Sequence, residues 1–219
     1  MKHDVTEEDA IVILPCHPVN PEKRTIQKVL DGLSRGAIYI VPTDTVYAFI
    51  CHLEHPKAIS SLYRIKDMSE KQPLSLLCRD ISMAGLFTKN IPDYVFRFMK
   101  QHTPGPYTFI LPASKDMDRR GMGKRKEVGI RIVDHPLHIE LMKQLDVPLV
   151  STSVREVEAF VTSPETLEDI YGYQVEAVLD AGPRKNEYTT ILDGQGDQFK
   201  LIRSGIGPID DLDYLAEED

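Results

Sequence analysis

Three cysteines, Cys16, Cys51 and Cys78, are all that the 219 residues contain, too few and too far apart for a disulfide framework. The longest uninterrupted apolar run is six residues, Val46 to Cys51, and a bilayer needs about twenty. The first residues lack the basic start and apolar stretch of a signal peptide. These absences predict a cytoplasmic protein with reduced thiols and no membrane partner. Basic residues are in deficit too, 26 Lys and Arg against 34 Asp and Glu, a net charge of −8. Taken whole, that balance argues against a polyanion ligand.

The recurring catalytic signatures are missing as well. Gly123-Lys124 is followed by Arg125 rather than Ser or Thr, so there is no phosphate-binding P-loop. Gly205-Ile-Gly207 has neither a third glycine nor a following helix, which excludes a dinucleotide fingerprint. His135 and His138 are spaced i, i+3 with no carboxylate or cysteine cluster beside them, so helix capping or surface placement is expected rather than a metal. Cys16-His17 and Cys51-His52 sit on strand-type runs, where neighbours point to opposite faces. Zinc is set aside and Cys51 assigned to the core. No Cys/His or Ser/His/Asp nucleophile has a local signature.

What remains is an ordinary globular composition, 42% hydrophobic and 27% charged, arranged in alternation. Asn20-Pro21 is expected to open a helix that Gly36 closes. Further helices are expected at Pro56 to about Lys66, after Asp80, at Pro92 to His102, at Pro136 to Leu145 and from Ser163-Pro164. Strands are expected at Ala37–Val41, from Val46, at Pro73–Cys78, Tyr107–Leu111, Val128–Val133 and Pro148–Ser153. Three more, near Glu176–Asp180, Tyr188–Asp193 and Lys200–Arg203, follow one another without long helices. The pattern predicts a single-domain α/β fold over residues 1–219, with a mixed sheet and flanking helices.

The acidity is concentrated at the ends. Residues 1–9 hold one base and four acids, and residues 210–219 hold six acids and no base, leaving 25 basic and 24 acidic residues between them. Lys115 to Arg131 carries seven bases against three acids, and Arg64, Lys66 and Lys71 form a second patch. Such runs are usually solvated loops; here they flank polar chemistry at strand ends. Pro42-Thr-Asp-Thr45, Ser151-Thr-Ser153 and Thr189-Thr190 each place hydroxyls where an apolar strand stops, the ligand-binding end in open α/β sheets. Arg131 and Arg203 interrupt apolar strands, either snorkelling at a sheet edge or aimed into a cavity. Singly, Thr43, Asp44 and Thr45 could cap a turn, and Tyr47 could be core or ligand wall. Together these features indicate a basic concave cavity for a nucleotide-like ligand.

The same residues carry a family resemblance. Val41-Pro-Thr-Asp-Thr-Val-Tyr47, Lys66 with Pro73-Leu74, Thr103-Pro-Gly-Pro-Tyr-Thr-Phe-Ile-Leu111, Val128-Gly-Ile-Arg-Ile-Val-Asp-His-Pro136, Pro148-Leu-Val-Ser-Thr-Ser153, Thr189-Thr-Ile-Leu-Asp193 and Arg203-Ser-Gly205 occur in order over about residues 22–208. The set resembles the YrdC/YciO superfamily, the threonylcarbamoyl-adenylate synthases of tRNA modification. The resemblance implies a twisted, mostly open sheet around a basic cavity, and a reaction of L-threonine, bicarbonate and ATP, with Mg²⁺, giving threonylcarbamoyl-AMP and pyrophosphate. By position it implies that Thr43, Arg131, Ser151 and Thr189 hold the threonine or its carbamate. ATP would be held by Lys66, Gln72, Thr108, Ser153 and Arg203, with Lys66 also the catalytic cation.

Departures from the family pattern accompany the matches. Ala48 stands for a usual Gly, Met68 for an arginine two residues after Lys66, Gln72 for Asn, Leu77 for a histidine, and Ser153-Val-Arg155 for Ser-Ala-Asn. His102 to Phe109 and Lys124 to Arg131 look most like the YciO branch. That branch implies an alternative, a nucleotide-binding or double-stranded-RNA-binding protein with reduced synthase chemistry, in which Lys124, Arg125 and Lys126 touch RNA, tRNA included. Arg155 or Arg64 could replace the missing phosphate arginine.

Overall fold

The computed structural model describes residues 12–69, 72, 74–115, 117, 125–154, 161–210 and 212. The first helix shows how local chemistry shifts an element. Asn20 does not cap it: the His17 ring accepts the Val19 and Asn20 N–H groups, and the Glu22 carboxylate accepts that of His17. Residues 17–22 therefore form a turn of their own, and α1 runs Lys23–Ser34 with Glu22 at its N-cap. Its apolar stripe, Ile26, Val29 and Leu33, is buried, and Gly36 at φ +85° ends it as expected.

The other helices follow their sequence signals closely. α2 is Pro56–Ile65, α3 Ile81–Phe87, α4 Asp93–His102, α5 Pro136–Met142 and α6 Pro164–Tyr171. Asp80 accepts the Met83 N–H and Ser163 that of Thr166, each satisfying an orphan donor of a first turn.

Ten strands form one mixed sheet: β1 Val12–Pro15, β2 Tyr39–Val41, β3 Ala48–His52, β4 Ser75–Leu77, β5 Tyr107–Pro112, β6 Glu127–Arg131, β7 Leu149–Ser153, β9 Ala177–Asp180, β11 Thr190–Asp193 and β12 Lys200–Arg203. Their order is β1-β9-β2-β3-β7-β4-β6-β5-β11-β12, an open sheet. A separate antiparallel pair joins β8 (Val161–Thr162) to β10 (Arg184–Lys185). The core includes Phe49, Ile50, Leu76, Phe109, Ile130 and Val150. Cys51 belongs to it, as expected, with its thiol pushed up by burial. Tyr47 is core as well: its hydroxyl donates to the Gly182 carbonyl and accepts the Ala181 N–H.

Strand register brings the site residues onto one face of the sheet. Ser75 lies opposite both Gly129 and Ser151, and Leu77 opposite Arg131. Phe109 pairs with Ile130, which brings Thr108 level with Arg131, and Thr108 pairs with Ile191. Side chains alternate with period two, so Ser151, Ser75, Arg131, Thr108 and Ile191 share one face. A register shift then completes the row. Leu192 pairs with Leu201, yet Ile191 pairs with Arg203, so Ile202 bulges out and Arg203 is turned onto that same face.

Gly205 holds the end of β12 against the chain before β11. A Cβ there would lie 2.3 Å from the Tyr188 carbonyl oxygen and 2.4 Å from the Thr189 carbonyl carbon. Its N–H donates to Thr190 Oγ1. Gly205→Ala is expected to cost about 1–3 kcal/mol of stability, the usual scale for overpacking, read as a lowered urea midpoint with an unchanged slope.

Candidate functional site

A cavity of about 500 Å³ opens over this face of the sheet, within the range that accommodates small-molecule ligands. Lys66, Gln72, Thr108, Arg131, Ser151, Ser153, Thr189 and Arg203 all line it. One sequence-nominated residue is not among them: Thr43 is fully buried, its hydroxyl donating to the Val46 carbonyl and accepting the Thr45 N–H. It shapes the turn behind the cavity. The expectation that the ligand end would be the carboxyl ends of strands needs correction. Ser75 and Thr108 lie near the starts of β4 and β5, while Arg131 and Arg203 end β6 and β12. Mixed strand directions make the site a face rather than an end.

The Pro42–Tyr47 turn combines its capping role with electrostatics. Asp44 Oδ1 accepts from Arg131 Nη2 at 2.7 Å, and both side chains are almost wholly buried. Asp44 Oδ2 accepts the Asp134 N–H, and Arg131 also reaches Thr45 Oγ1 at 3.3 Å. β6 lies between β4 and β5, so Arg131 is no edge-strand arginine and no part of a solvated basic lip. Burial works against its charge and the Asp44 carboxylate sustains it. Its Nε has no protein partner.

Across the cavity a hydroxyl relay leads away from a second arginine. Arg203 donates through Nε and Nη2 to the Thr189 carbonyl and through Nη2 to Thr189 Oγ1. Thr189 Oγ1 is 3.0 Å from Thr108 Oγ1. A hydroxyl that accepts from a guanidinium has its own proton free for the next oxygen. Arg203 thus polarises Thr189, and Thr189 in turn orients Thr108.

Lys66 and Met68 are placed by the end of α2. The Asp67 N–H bonds the Arg64 carbonyl and the Met68 N–H that of Tyr63, a Schellman cap with Asp67 at φ +47°. This turn brings Lys66, Asp67 and Met68 to the cavity wall together. Gln72 follows, its carbonyl accepting from the Tyr63 hydroxyl and from Arg125 Nη1. Arg125 also donates to the Tyr63 hydroxyl, so this RNA candidate braces the mouth of the cavity. Lys126 is exposed; Lys124 and Arg155 lie outside the described residues. Arg64 bonds Ser61 and does not line the cavity, which removes it as a replacement phosphate arginine.

Ser75 and Ile191 line the cavity without having been nominated as ligand residues in the sequence. Their signal was strand parity, which becomes readable only once register is known. Of the two expectations for the paired histidines, helix capping holds for His135 and surface placement for neither, since both are buried. His135 caps α5 by accepting the Leu137 N–H, and its Nε2 faces Arg184. His138 Nε2 bonds the Pro42 carbonyl. No cluster of three metal-ligating side chains occurs among the described residues, and no helix among them is long and apolar enough to cross a membrane.

Comparison with known proteins follows the same lines. The Sua5/YciO/YrdC family model, described as "Telomere recombination", matches residues 31–205. The uncharacterized protein YciO of Escherichia coli is 32% identical over 196 residues, 88% of this chain and 95% of that one. Its crystal structure superposes with a TM-score of 0.84, covering 92% of this chain and 99% of that one. Threonylcarbamoyl-AMP synthase of Homo sapiens is 29% identical over 171 residues, 77% of this chain and 57% of the enzyme. The structure of P. abyssi Sua5 complexed with L-threonine shares the fold at a TM-score of 0.78 and 21% identity, covering 89% of this chain and 57% of that one.

Two measurements probe this architecture. Asp44→Asn leaves a buried guanidinium without its counter-charge and is expected to cost about 3–5 kcal/mol in urea unfolding. The pH dependence has a definite sign. Burial, with neighbouring positive charge, lowers His135 to about 3 and His138 to about 4, against an ordinary 6.5. Below pH 6.5 the unfolded chain takes up protons that the folded chain refuses. Stability is therefore complete above 6.5 and should fall by up to about 1.4 kcal/mol per pH unit for each histidine as pH drops toward 4. His138→Gln should remove its share of that slope.

Proposed function

The chain belongs to the Sua5/YciO/YrdC family, and from that membership we propose that its cavity forms threonylcarbamoyl-AMP and pyrophosphate from L-threonine, bicarbonate and ATP. The observation that carries the reading is the 3.0 Å approach of Thr108 Oγ1 to Thr189 Oγ1. The resemblance assigns Thr108 to ATP and Thr189 to the threonine carbamate. Those two hydroxyls in contact make the boundary between two subsites, where a carbamate oxygen meets the α-phosphorus.

The chemistry asks little of side-chain acid–base groups. A carbamate oxygen is already anionic, attacks the α-phosphorus in line and expels pyrophosphate. Catalysis then consists of positioning and of countering charge. In this reading Arg131, fixed by Asp44, receives the amino-acid carboxylate or the carbamate with Ser151. Arg203, Lys66, Ser153 and Gln72 face the nucleotide, with the Arg203–Thr189–Thr108 relay aimed at the junction. Asp67 is the one acidic side chain among the cavity-lining residues. Mg²⁺ arriving on phosphates needs few protein carboxylates, so Asp67 fits as its contact, and the bound ion would offset phosphate charge.

Met68 favours a second reading. It lines the cavity where the family resemblance expects an arginine, and a lost charge-assisted contact is worth about 1.5–3 kcal/mol. In that reading the protein is a nucleotide- or double-stranded-RNA-binding paralogue with slowed synthase chemistry.

A product assay separates the two. With Mg²⁺, threonylcarbamoyl-AMP should appear only when threonine, bicarbonate and ATP are all present, and Arg203→Ala should lower the rate by on the order of tenfold to a hundredfold. Met68→Arg should raise it by a similar factor. No product from either the natural chain or Met68→Arg would overturn the synthase reading. RNA affinity that falls with salt and on neutralising Lys124, Arg125 and Lys126 would favour the binding one.

A further inference from the structure

A second cavity, of about 270 Å³, shares no lining residue with the first. It lies where β4 and β6, parallel neighbours, end: Leu77 closes β4, and Ile132 and Val133 follow β6. The carboxyl ends of adjacent parallel strands are where open α/β sheets characteristically bind ligands. Here that position is used by a pocket other than the nucleotide-sized one.

The walls are chemically ordered from inside to mouth. Leu77, Ile132, Val133 and Met142 give an apolar body. Arg79 and Lys143 also line the pocket, and their side chains are 44% and 59% exposed, so they stand at its mouth. Each is bridged to a neighbour, Asp80 or Glu140, that does not line the pocket. Every charged group among the lining residues is therefore positive. His138, in contrast, is 2% exposed and lines the pocket from within. Its Nε2 donates to the Pro42 carbonyl, which leaves Nδ1 as a bare acceptor in the neutral ring, and Nδ1 is buried with no partner in the protein. A buried acceptor without a donor is destabilising and calls for a group to fill it.

We propose that this pocket is a second ligand site, taking a compact, mostly apolar molecule with a hydroxyl at one end and a carboxylate at the other. The hydroxyl donates to His138 Nδ1, the apolar body packs on Leu77, Ile132, Val133 and Met142, and the carboxylate meets Arg79 and Lys143. The pocket is smaller than the usual range for drug-sized ligands, which selects a molecule of one ring or a short branched chain. None of this requires threonine, ATP or adenylate chemistry in the larger cavity.

The probe is 4-hydroxyphenylacetate, titrated into the full chain by ligand-observed NMR and calorimetry. Binding is expected, and phenylacetate, which lacks the hydroxyl, and 4-hydroxyphenethyl alcohol, which lacks the carboxylate, should each bind roughly tenfold more weakly. Ile139 lines the pocket and is 41% exposed, so Ile139→Trp can occlude the mouth without disturbing the core; it should abolish binding. Lys143→Glu should weaken it roughly tenfold. Arg203→Glu, in the larger cavity, should leave the affinity unchanged. No binding at millimolar probe, binding that survives Ile139→Trp, binding lost in Arg203→Glu, or equal affinity for all three compounds would each overturn the assignment.

Discussion

The buried pair between Asp44 and Arg131 ties together segments that are 87 residues apart, the turn after β2 and the end of β6. A guanidinium cannot shed its proton at ordinary pH, so its burial within a sheet requires a fixed anion beside it. The Pro42–Tyr47 turn supplies one, and Thr43 holds that turn in shape by accepting and donating within it. His138 fastens the same turn from behind through the Pro42 carbonyl. A buried ion pair of this kind is weak support for stability in itself; its value here is to hold a cation at the cavity wall with one nitrogen, Nε, unmatched by protein.

On the opposite side of the cavity the constraint is backbone rather than charge. The bulge at Ile202 reverses the parity of β12, and the glycine at 205 allows the chain to pack against Tyr188 and Thr189. Arg203 reaches the Thr189 carbonyl and hydroxyl only because of both features. The two arginines therefore arrive by different means, one through an ion pair across the sheet and one through an irregular edge strand. Between them lie Thr108 and Ile191, with the Thr189 hydroxyl linking Arg203 to Thr108.

The net charge of −8 is uninformative about this site. Charge that matters to a ligand acts over a few ångströms in a low-dielectric cleft, and among the residues lining the larger cavity Lys66, Arg131 and Arg203 outnumber Asp67. Residues 1–9 and 210–219 hold ten of the acids and one base, and the remaining residues sum to +1. The smaller pocket shows the same principle, lined at its mouth by Arg79 and Lys143, whose acidic partners Asp80 and Glu140 are not among its lining residues.

Much of the fold was readable because its signals are local. Asp80 and Ser163 cap where short polar side chains should, and α2, β3, β5 and β7 follow their apolar periods. The failures were of two kinds: the His17–Glu22 turn moves the start of α1 past Asn20, a local effect, and His135 and His138 are buried by partners 49 and 96 residues away, Arg184 and Pro42, which no local signal shows. Eight of the nine residues that the family resemblance assigns to threonine and ATP line one cavity, and Arg131, Ser151, Ser153, Thr189 and Arg203 among them also stood out where they break or end apolar runs. By itself the sequence determined the alternating α/β layering, the family and the residue types available for anion binding, since these rest on local period and composition. Tertiary structure alone decided that Asp44 serves Arg131, that Arg203 turns inward and that two separate cavities exist, because strand register, a one-residue bulge and ion pairing depend on groups that meet only after the sheet has formed.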